Sequence, residues 1–353
     1  MKKSPDARKQ KWLRFLSDKG GVGAMYLITT DEAAAHSATR PYPRPELKEE
    51  RIVWAYEDYN LRLKQSEWLA DDSVPHISPY TGTEIFAEAF GCKVHYPVND
   101  MPFAIPKYES IAEAASLKIP DVYDTPLYNL FEIARRLRQK AGDDAVMQLP
   151  DIQSPFDIAA LILDKEEFYV AMVEEPGAIH EMIQKTKTLQ MNFLDAWFAE
   201  FGHSYIAHYP SYYMECGITL SEDEVGAFGP SMFDNFVIGT LNEMSDKYGG
   251  IGIHCCADSE HQWANFMKVN DLKLLNLCNH TDFIVRSINY IGDAVAQWPI
   301  AGIPATDTDP IWLSDCPANA RLVLTYRATD RRSAEETAKR AEDLCFKRSQ
   351  NLI

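Results

Sequence analysis

The sequence predicts an α/β protein, a closed (β/α)8 TIM barrel with an N-terminal helical extension. Three observations point there. About eight short apolar runs alternate with stretches of helical periodicity from residue 22 to residue 350. No linker-like stretch interrupts the alternation, so the chain reads as one domain over residues 1–353. No Gly-x-Gly-x-x-Gly follows any run, which argues against an open dinucleotide-binding sheet, and the absence of Gly-x-x-x-x-Gly-Lys-Ser/Thr excludes a P-loop.

Residues 6–19 read as a helix, because Trp12, Leu13, Phe15 and Leu16 form an apolar stripe among Lys and Arg, and Gly20-Gly21 ends it. The first strand is expected over 22–30, followed by a proline-bearing loop over 31–51 and a helix over 50–69. A second strand at 74–80 leads to a helix at 83–90, with Thr81 as its N-cap. Residues 94–105 are extended, and 106–117 and 126–141 are helical; the stripe Leu127, Leu130, Ile133, Leu137 is clear. The third strand, 145–149, precedes helices at 156–163, 166–173 and 178–200. The fourth, 204–209, opens into an aromatic loop over 209–221, and a helix at 230–248 runs into the fifth. Strands at 272–277, 294–303 and 321–326 and helices at 260–269, 282–290 and 333–350 complete the alternation.

Composition sets the outer limits. The 353 residues are 46% hydrophobic and 25% charged, ordinary for a soluble globular protein. A net charge of -17 repels phosphate backbones and anionic lipid, so neither nucleic acid nor membrane is an expected partner. No window approaches the roughly 20 apolar residues that span a bilayer, and the basic first residues have no apolar core behind them, unlike a signal peptide. The seven cysteines are an odd number at scattered positions and form no disulfide framework, which places the chain in the reducing cytoplasm.

The chemistry concentrates at Tyr248-Gly-Gly-Ile-Gly-Ile-His-Cys-Cys-Ala-Asp. A buried strand ends here in His254, Cys255 and Cys256. Strand parity sends His254 and Cys256 to one side and Cys255 to the other, into packing. In a barrel the carboxyl ends of the strands share one face. The sixth strand offers Cys278 and His280 there with the same spacing. These four could hold a tetrahedral zinc with S and N donors at about 2.0 to 2.3 Å; packed thiols and carboxylate-bonded histidines are the alternative. Tyr209, Tyr212, Tyr213 and Glu215 form a pocket wall or a surface loop. Asp151 and Gln153, after the third strand, could orient a substrate. Arg327, at the eighth tip, could meet a substrate carboxylate or pair with Asp330 or Glu335. Glu222-Asp223-Glu224 reads as acidic residues favouring a helix start.

Several stretches together resemble the uroporphyrinogen decarboxylase superfamily, which includes zinc-dependent methylcobamide methyltransferases. They are Gly82-Thr-Glu-Ile-Phe-Ala-Glu-Ala-Phe-Gly-Cys, Ile111-Ala-Glu-Ala-Ala-Ser-Leu-Lys-Ile-Pro-Asp, the run from Leu220 to Phe236, the strand ending in His254-Cys-Cys256, and Leu322-Val-Leu-Thr-Tyr-Arg-Ala-Thr-Asp. The resemblance covers roughly residues 8 to 345 and implies a TIM barrel with its site at the strand carboxyl ends. It points away from the decarboxylase itself. That enzyme's first strand ends in an arginine pair, absent from Ala24-Met-Tyr-Leu-Ile-Thr-Thr-Asp, and its catalytic Asp and Tyr fall near Pro79 and Leu161. The methyltransferase branch ligates zinc through a His-x-Cys on the fifth strand, matched by His254 and Cys256, and a Cys after the eighth. That last position falls on Tyr326 or Arg327, so Cys278 or Cys316 stands as the substitute.

The expectation is therefore a zinc-dependent methyltransferase moving a methyl group between a corrinoid or small donor and a thiol. Catalysis is assigned to His254, Cys256 and Arg327, metal binding to His254, Cys256 and Cys278, and substrate binding to Asp151, Gln153, Tyr209, Glu215 and His280. The corrinoid, cobalamin-like, would sit on a separate protein, since no corrinoid domain is fused, and a homodimer is compatible. Two other readings stand beside it: a metal-free decarboxylase or lyase using Arg327 and His280, and a non-catalytic ligand-binding barrel.

Overall fold

The computed structural model describes residues 3–17, 20–31 and 39–352. Residues 18–19 of the first expected helix and 32–38 of the first expected loop lie outside that set. Helix α1 (Pro5–Leu16) starts at the Ser4 cap with proline in its first turn. It precedes β1 (Ala24–Thr30), α2 (Lys48–Ser66), β2 (His76–Ile77) and α3 (Ile85–Ala89). The extended stretch after α3 is a hairpin of β3 (Lys93–His95) and β4 (Phe103–Ile105). Then come α4 (Ile111–Ala114), α5 (Tyr128–Ala141), β5 (Val146–Gln148), α6 (Pro155–Ile162), α7 (Lys165–Glu174) and the long α8 (Pro176–Phe201). Strand β6 (Ser204–Ile206) leads to β7 (Tyr213–Glu215), β8 (Ile218–Ser221), α9 (Pro230–Phe236), α10 (Ile238–Tyr248) and β9 (Ile251–Cys255). The chain ends with α11 (Trp263–Phe266), β10 (Leu272–Asn279), α12 (Thr281–Ile291), β11 (Ala296–Gln297), β12 (Ile300–Ala301), β13 (Leu322–Ala328) and α13 (Arg331–Gln350).

All eight expected strand positions hold a strand, and the fold is the expected α/β barrel. One parallel sheet runs β1-β13-β11-β10-β9-β8, and a second runs β2-β5-β6 with β7 added antiparallel. The aromatic loop expected over 209–221 is where the structure departs most. It folds into β7 and β8, because the chain doubles back along β6 and then joins β9 in parallel.

Two seams close the barrel. At one, Ser154 N donates to Ser221 O (2.7 Å) and Ser221 N to Ile152 O (2.9 Å), tying β8 to the chain beyond β5. At the other, side chains supplement the backbone. Asp72 Oδ2 accepts from Tyr26 N and Asp71 Oδ2 from Ile28 N, each at 3.0 Å, so two carboxylates satisfy the free edge of β1. Both are buried, which would be costly alone. Helix α1 supplies the counter-charges: Arg8, itself fully buried, at 3.4 Å from Asp71, and Lys11 at 2.6 Å from Asp72, with Lys3 just upstream at 2.8 Å from Asp72. The N-terminal extension is thus part of barrel closure.

The interior is filled with aromatic rings. Trp12 reaches from α1 to stack on Trp298 (6.0 Å between centroids) and also meets Tyr212. Gly252 makes room for them: a Cβ there would fall 1.8 Å from the Tyr212 hydroxyl. Among the described residues no helix is long and apolar enough to cross a membrane.

Candidate metal centre

Strand β9 delivers His254 one residue before its end and Cys256 just beyond it. Parity behaves as expected: Cys255 is fully buried, while Cys256 is exposed at the strand mouth. Next door, β8 ends at Ser221, and two residues on comes Asp223, whose Oδ1 accepts from Cys256 N at 2.6 Å. One donor atom from each of Asp223, His254 and Cys256 lies within 4.8 Å of the other two, the one such acid, histidine and thiol group among the described residues.

The local structure fixes each donor. His254 and Asn276 are register partners on β9 and β10. His254 Nδ1 lies 2.5 Å from Asn276 Oδ1, and Asn276 Nδ2 donates to the Trp298 carbonyl. With its amide nitrogen so engaged, Asn276 offers only an acceptor to the ring. The neutral ring of His254 thus carries its proton on Nδ1 and leaves the Nε2 lone pair free. Asp223 is held from behind. Asp157, at the start of α6, accepts the backbone N–H groups of Asp223 (2.8 Å) and Glu224 (3.2 Å). Glu222 N donates to the His254 carbonyl at 2.8 Å. The Glu222 and Asp157 carboxyls are buried against each other; burial first, and then the neighbouring acid, hold Glu222 well above the usual range, and burial raises Asp157 to about 7.

Burial and the Asp223 carboxylate set the electrostatics of the strand mouth. Burial, then the Asp223 charge, pushes the Cys256 thiol up to about 12, and the same causes raise Cys278. Asp151 is raised to about 7 by burial and by Asp223. His208, two residues past β6, is driven down to about 3 by burial and by His254, so it is neutral. Its ring meets Thr219 Oγ1 (3.3 Å) and Ser221 Oγ (3.0 Å), with Nε2 3.5 Å from Asp151 Oδ1. The Tyr209 ring stands edge-on to His254, 4.9 Å away at 89°. A cleft of about 880 Å³ opens beside these groups, lined by Tyr209, Cys278, Trp298, Ile300, Trp312 and Thr325 among others, and its wall is mostly apolar.

The structure sorts the residues assigned from sequence. His254, Cys256, Asp151 and Tyr209 come together at the strand mouth. Gln153 lies beside Ser221, with its Oε1 buried and without a hydrogen bond. Cys278 is on the adjacent tip and faces the cleft, but the third donor of the compact group is Asp223. Cys316 caps a short 3-10 turn, its thiol 3.4 Å from the Trp312 carbonyl. Three assignments need correction. Glu215 is not on the pocket rim: β7 runs antiparallel to β6 and pairs Glu215 with Ser204, at the amino end of that strand, where it borders a separate depression with Leu13 and Lys273. His280 caps α12, its Nδ1 accepting from Phe283 N at 3.2 Å. Arg327 is exposed and paired with Asp31 (2.8 Å), rather than with Asp330, Glu335 or a pocket.

Sequence reasoning missed Asp223 and His208. Both follow strand ends by two residues, and that position was the available signal. A parallel α/β barrel whose strand mouths gather an acid, a histidine and a thiol defines the class of protein. The family model for uroporphyrinogen decarboxylase (URO-D) matches residues 79–296, and the chain belongs to that family. A methyltransferase from Methanosarcina mazei superposes with a TM-score of 0.61 over 97% of this chain and 99% of that one, at 12% identity, which establishes the shared fold. No curated protein matches the sequence.

Proposed function

We propose that this chain is a zinc-dependent methyltransferase that moves a methyl group from a small or corrinoid-bound donor to a thiol. The observation that carries the proposal is the convergence of Asp223, His254 and Cys256 within 4.8 Å at the barrel mouth. The donor set suits zinc: a histidine with Nε2 unprotonated, a thiol and a carboxylate are its ordinary protein ligands, and catalytic sites use three, leaving a fourth position open. Zinc bound there supplies positive charge that keeps an acceptor thiol ionised at neutral pH.

The chain's own residues do the rest. Asn276 fixes the His254 tautomer, and Asp157 fixes the turn that carries Asp223. Tyr209 forms the wall between His254 and the cleft. The cleft's apolar lining favours an uncharged methyl donor. Asp151, near 7 and within reach of neutral His208, is poised to give a proton to the group that the methyl leaves. The family relation and the shared barrel with a methyltransferase support this reading. In the lyase reading Arg327 and His280 carry the reaction, and here they are engaged with Asp31 and α12.

The test is metal analysis of the purified protein, before and after zinc reconstitution, with thiol methylation assayed against a panel of methyl donors. About one zinc per chain, lost in Cys256→Ala and Asp223→Ala, is expected. Substoichiometric zinc that reconstitution does not restore would overturn the proposal.

A further inference from the structure

The cleft beside the metal centre holds a thiol that the centre does not use. Cys278 lines that cleft, half-buried, and stands outside the compact group of Asp223, His254 and Cys256. Strands β9 and β10 run in parallel register, with His254 opposite Asn276 and Cys255 opposite Leu277. The next step along both chains sets Cys256 opposite Cys278. Parity then decides which way the sulfurs face. His254 and Asn276 meet side chain to side chain at 2.5 Å, and the two cysteines follow them by two residues on that same face. Cys255 points the other way and is fully buried. The electrostatics agree. The Cys256 thiol is raised by burial and by Asp223, and then by Cys278; after burial, both cysteines raise the Tyr209 hydroxyl, so one phenol borders the pair. Neighbouring strands lie about 4.7–4.9 Å apart, inside the roughly 4.4–6.8 Å that a disulfide spans between Cα atoms. Strand β9 ends at Cys255, so Cys256 can turn toward its partner without breaking the ladder. Cys256 is exposed, and the cleft leads a small oxidant to both sulfurs.

We infer that Cys256 and Cys278 form a redox modification site: a hydroperoxide joins them in a disulfide in the metal-free chain, and that bond blocks metal binding until a small thiol reduces it. The block rests on the zinc reading of the site; the disulfide does not. The Cys256 thiolate attacks one peroxide oxygen, an S–O bond forms as the O–O bond breaks, and the first water leaves. Cys278 then attacks the sulfenic sulfur, an S–S bond forms as the S–O bond breaks, and the second water leaves. The two sulfurs give up two electrons, the peroxide oxygens take them, and the two thiol protons depart in the waters. Once joined, Cys256 has no thiolate to offer a metal. Zinc already in place protects the site, because it holds the Cys256 sulfur.

Peptide mapping tests this on chelator-treated protein carrying Cys216→Ser, which removes the other exposed thiol, at the far end of the barrel. After hydrogen peroxide at pH 8 and digestion without reduction, a peptide linked through Cys256 and Cys278 is expected, and dithiothreitol should dissolve the link. With Cys278→Ser added, no link should form, and dimedone should trap Cys256 as the sulfenic acid. Zinc affinity, read with a chelating dye, should fall at least tenfold on oxidation and return on reduction. Zinc loaded before the peroxide should slow the link. Absence of the linked peptide, or a link from Cys256 to any other cysteine, would overturn the inference, and so would linked protein that binds zinc as tightly as reduced protein. A link that forms in protein taking up no zinc even when reduced would support the disulfide and count against the zinc reading alone.

Discussion

His254 and Asn276 face each other across β9 and β10, joined ring nitrogen to amide oxygen. The contact decides which histidine nitrogen is free, because the Trp298 carbonyl has already taken the amide's donor side. Removing it in Asn276→Ala leaves both tautomers and several ring orientations open. Zinc affinity should fall about 10- to 100-fold, the usual effect of losing such a supporting contact. Competition with a chelating dye measures it, and unchanged affinity would show that Asn276 does not orient the ligand.

The Cys256 thiol gives a second handle. In metal-free protein it is pushed up to about 12 by burial and then by Asp223, so little thiolate exists at pH 8. Asp223→Asn removes the opposing charge and should speed alkylation of Cys256 by iodoacetamide at pH 8 in chelator-treated protein. In the parent protein, zinc should slow alkylation by occupying the sulfur. Because the metal must displace a thiol proton, apparent affinity should also rise with pH, about tenfold per pH unit for one proton. A flat pH dependence would remove Cys256 from the ligand set.

The barrel was readable because parallel strands covered on both faces leave uninterrupted apolar runs, as at β1, β9 and β13. The His254–Cys256 pair was readable for a related reason: strand parity needs only the strand's position. Asp223 was not. Its sequence neighbours Glu222 and Glu224 make it look like an acidic helix start, and only the return of the chain through β7 and β8 brings it beside β9. The same hairpin carried Glu215 to the opposite end. Thr81 shows the limit of local capping rules: its hydroxyl serves the Asp151 backbone, and α3 begins at Ile85 with Glu84 at the N-cap position and no side-chain cap.

Arg8 tests the role given to the N-terminal helix. It is fully buried, paired with Asp71, and donates to three backbone carbonyls between Ser66 and Ser73. Arg8→Ala leaves Asp71 buried without that partner at the β1 seam. Loss of one member of a buried pair costs about 3–5 kcal/mol, and urea unfolding should show it. A change below about 1 kcal/mol, the range of exposed pairs, would mean that the seam closes without α1.

The Asp157–Glu222 pair predicts how stability varies with pH. Both carboxyls are buried, and burial raises both above their ordinary values, Asp157 to about 7 and Glu222 well above 4.5. A carboxyl whose folded value lies above its unfolded one holds its proton more tightly in the folded state. Its contribution is fully present below about pH 4 and is lost as pH rises through the folded value. Chelator-treated protein should therefore lose unfolding free energy between about pH 4 and 8, by about 1–4 kcal/mol, since each tenfold gain in proton affinity on folding is worth ~1.4 kcal/mol. Glu222→Gln keeps the size of the side chain but removes one of the two protons. The stability profile should flatten while Asp157 keeps its hold on the Asp223 and Glu224 backbone. Matching slopes in parent and variant would show that the pair is not what titrates there, and a variant that lost zinc binding while keeping its stability would place Glu222 in the metal centre rather than behind it.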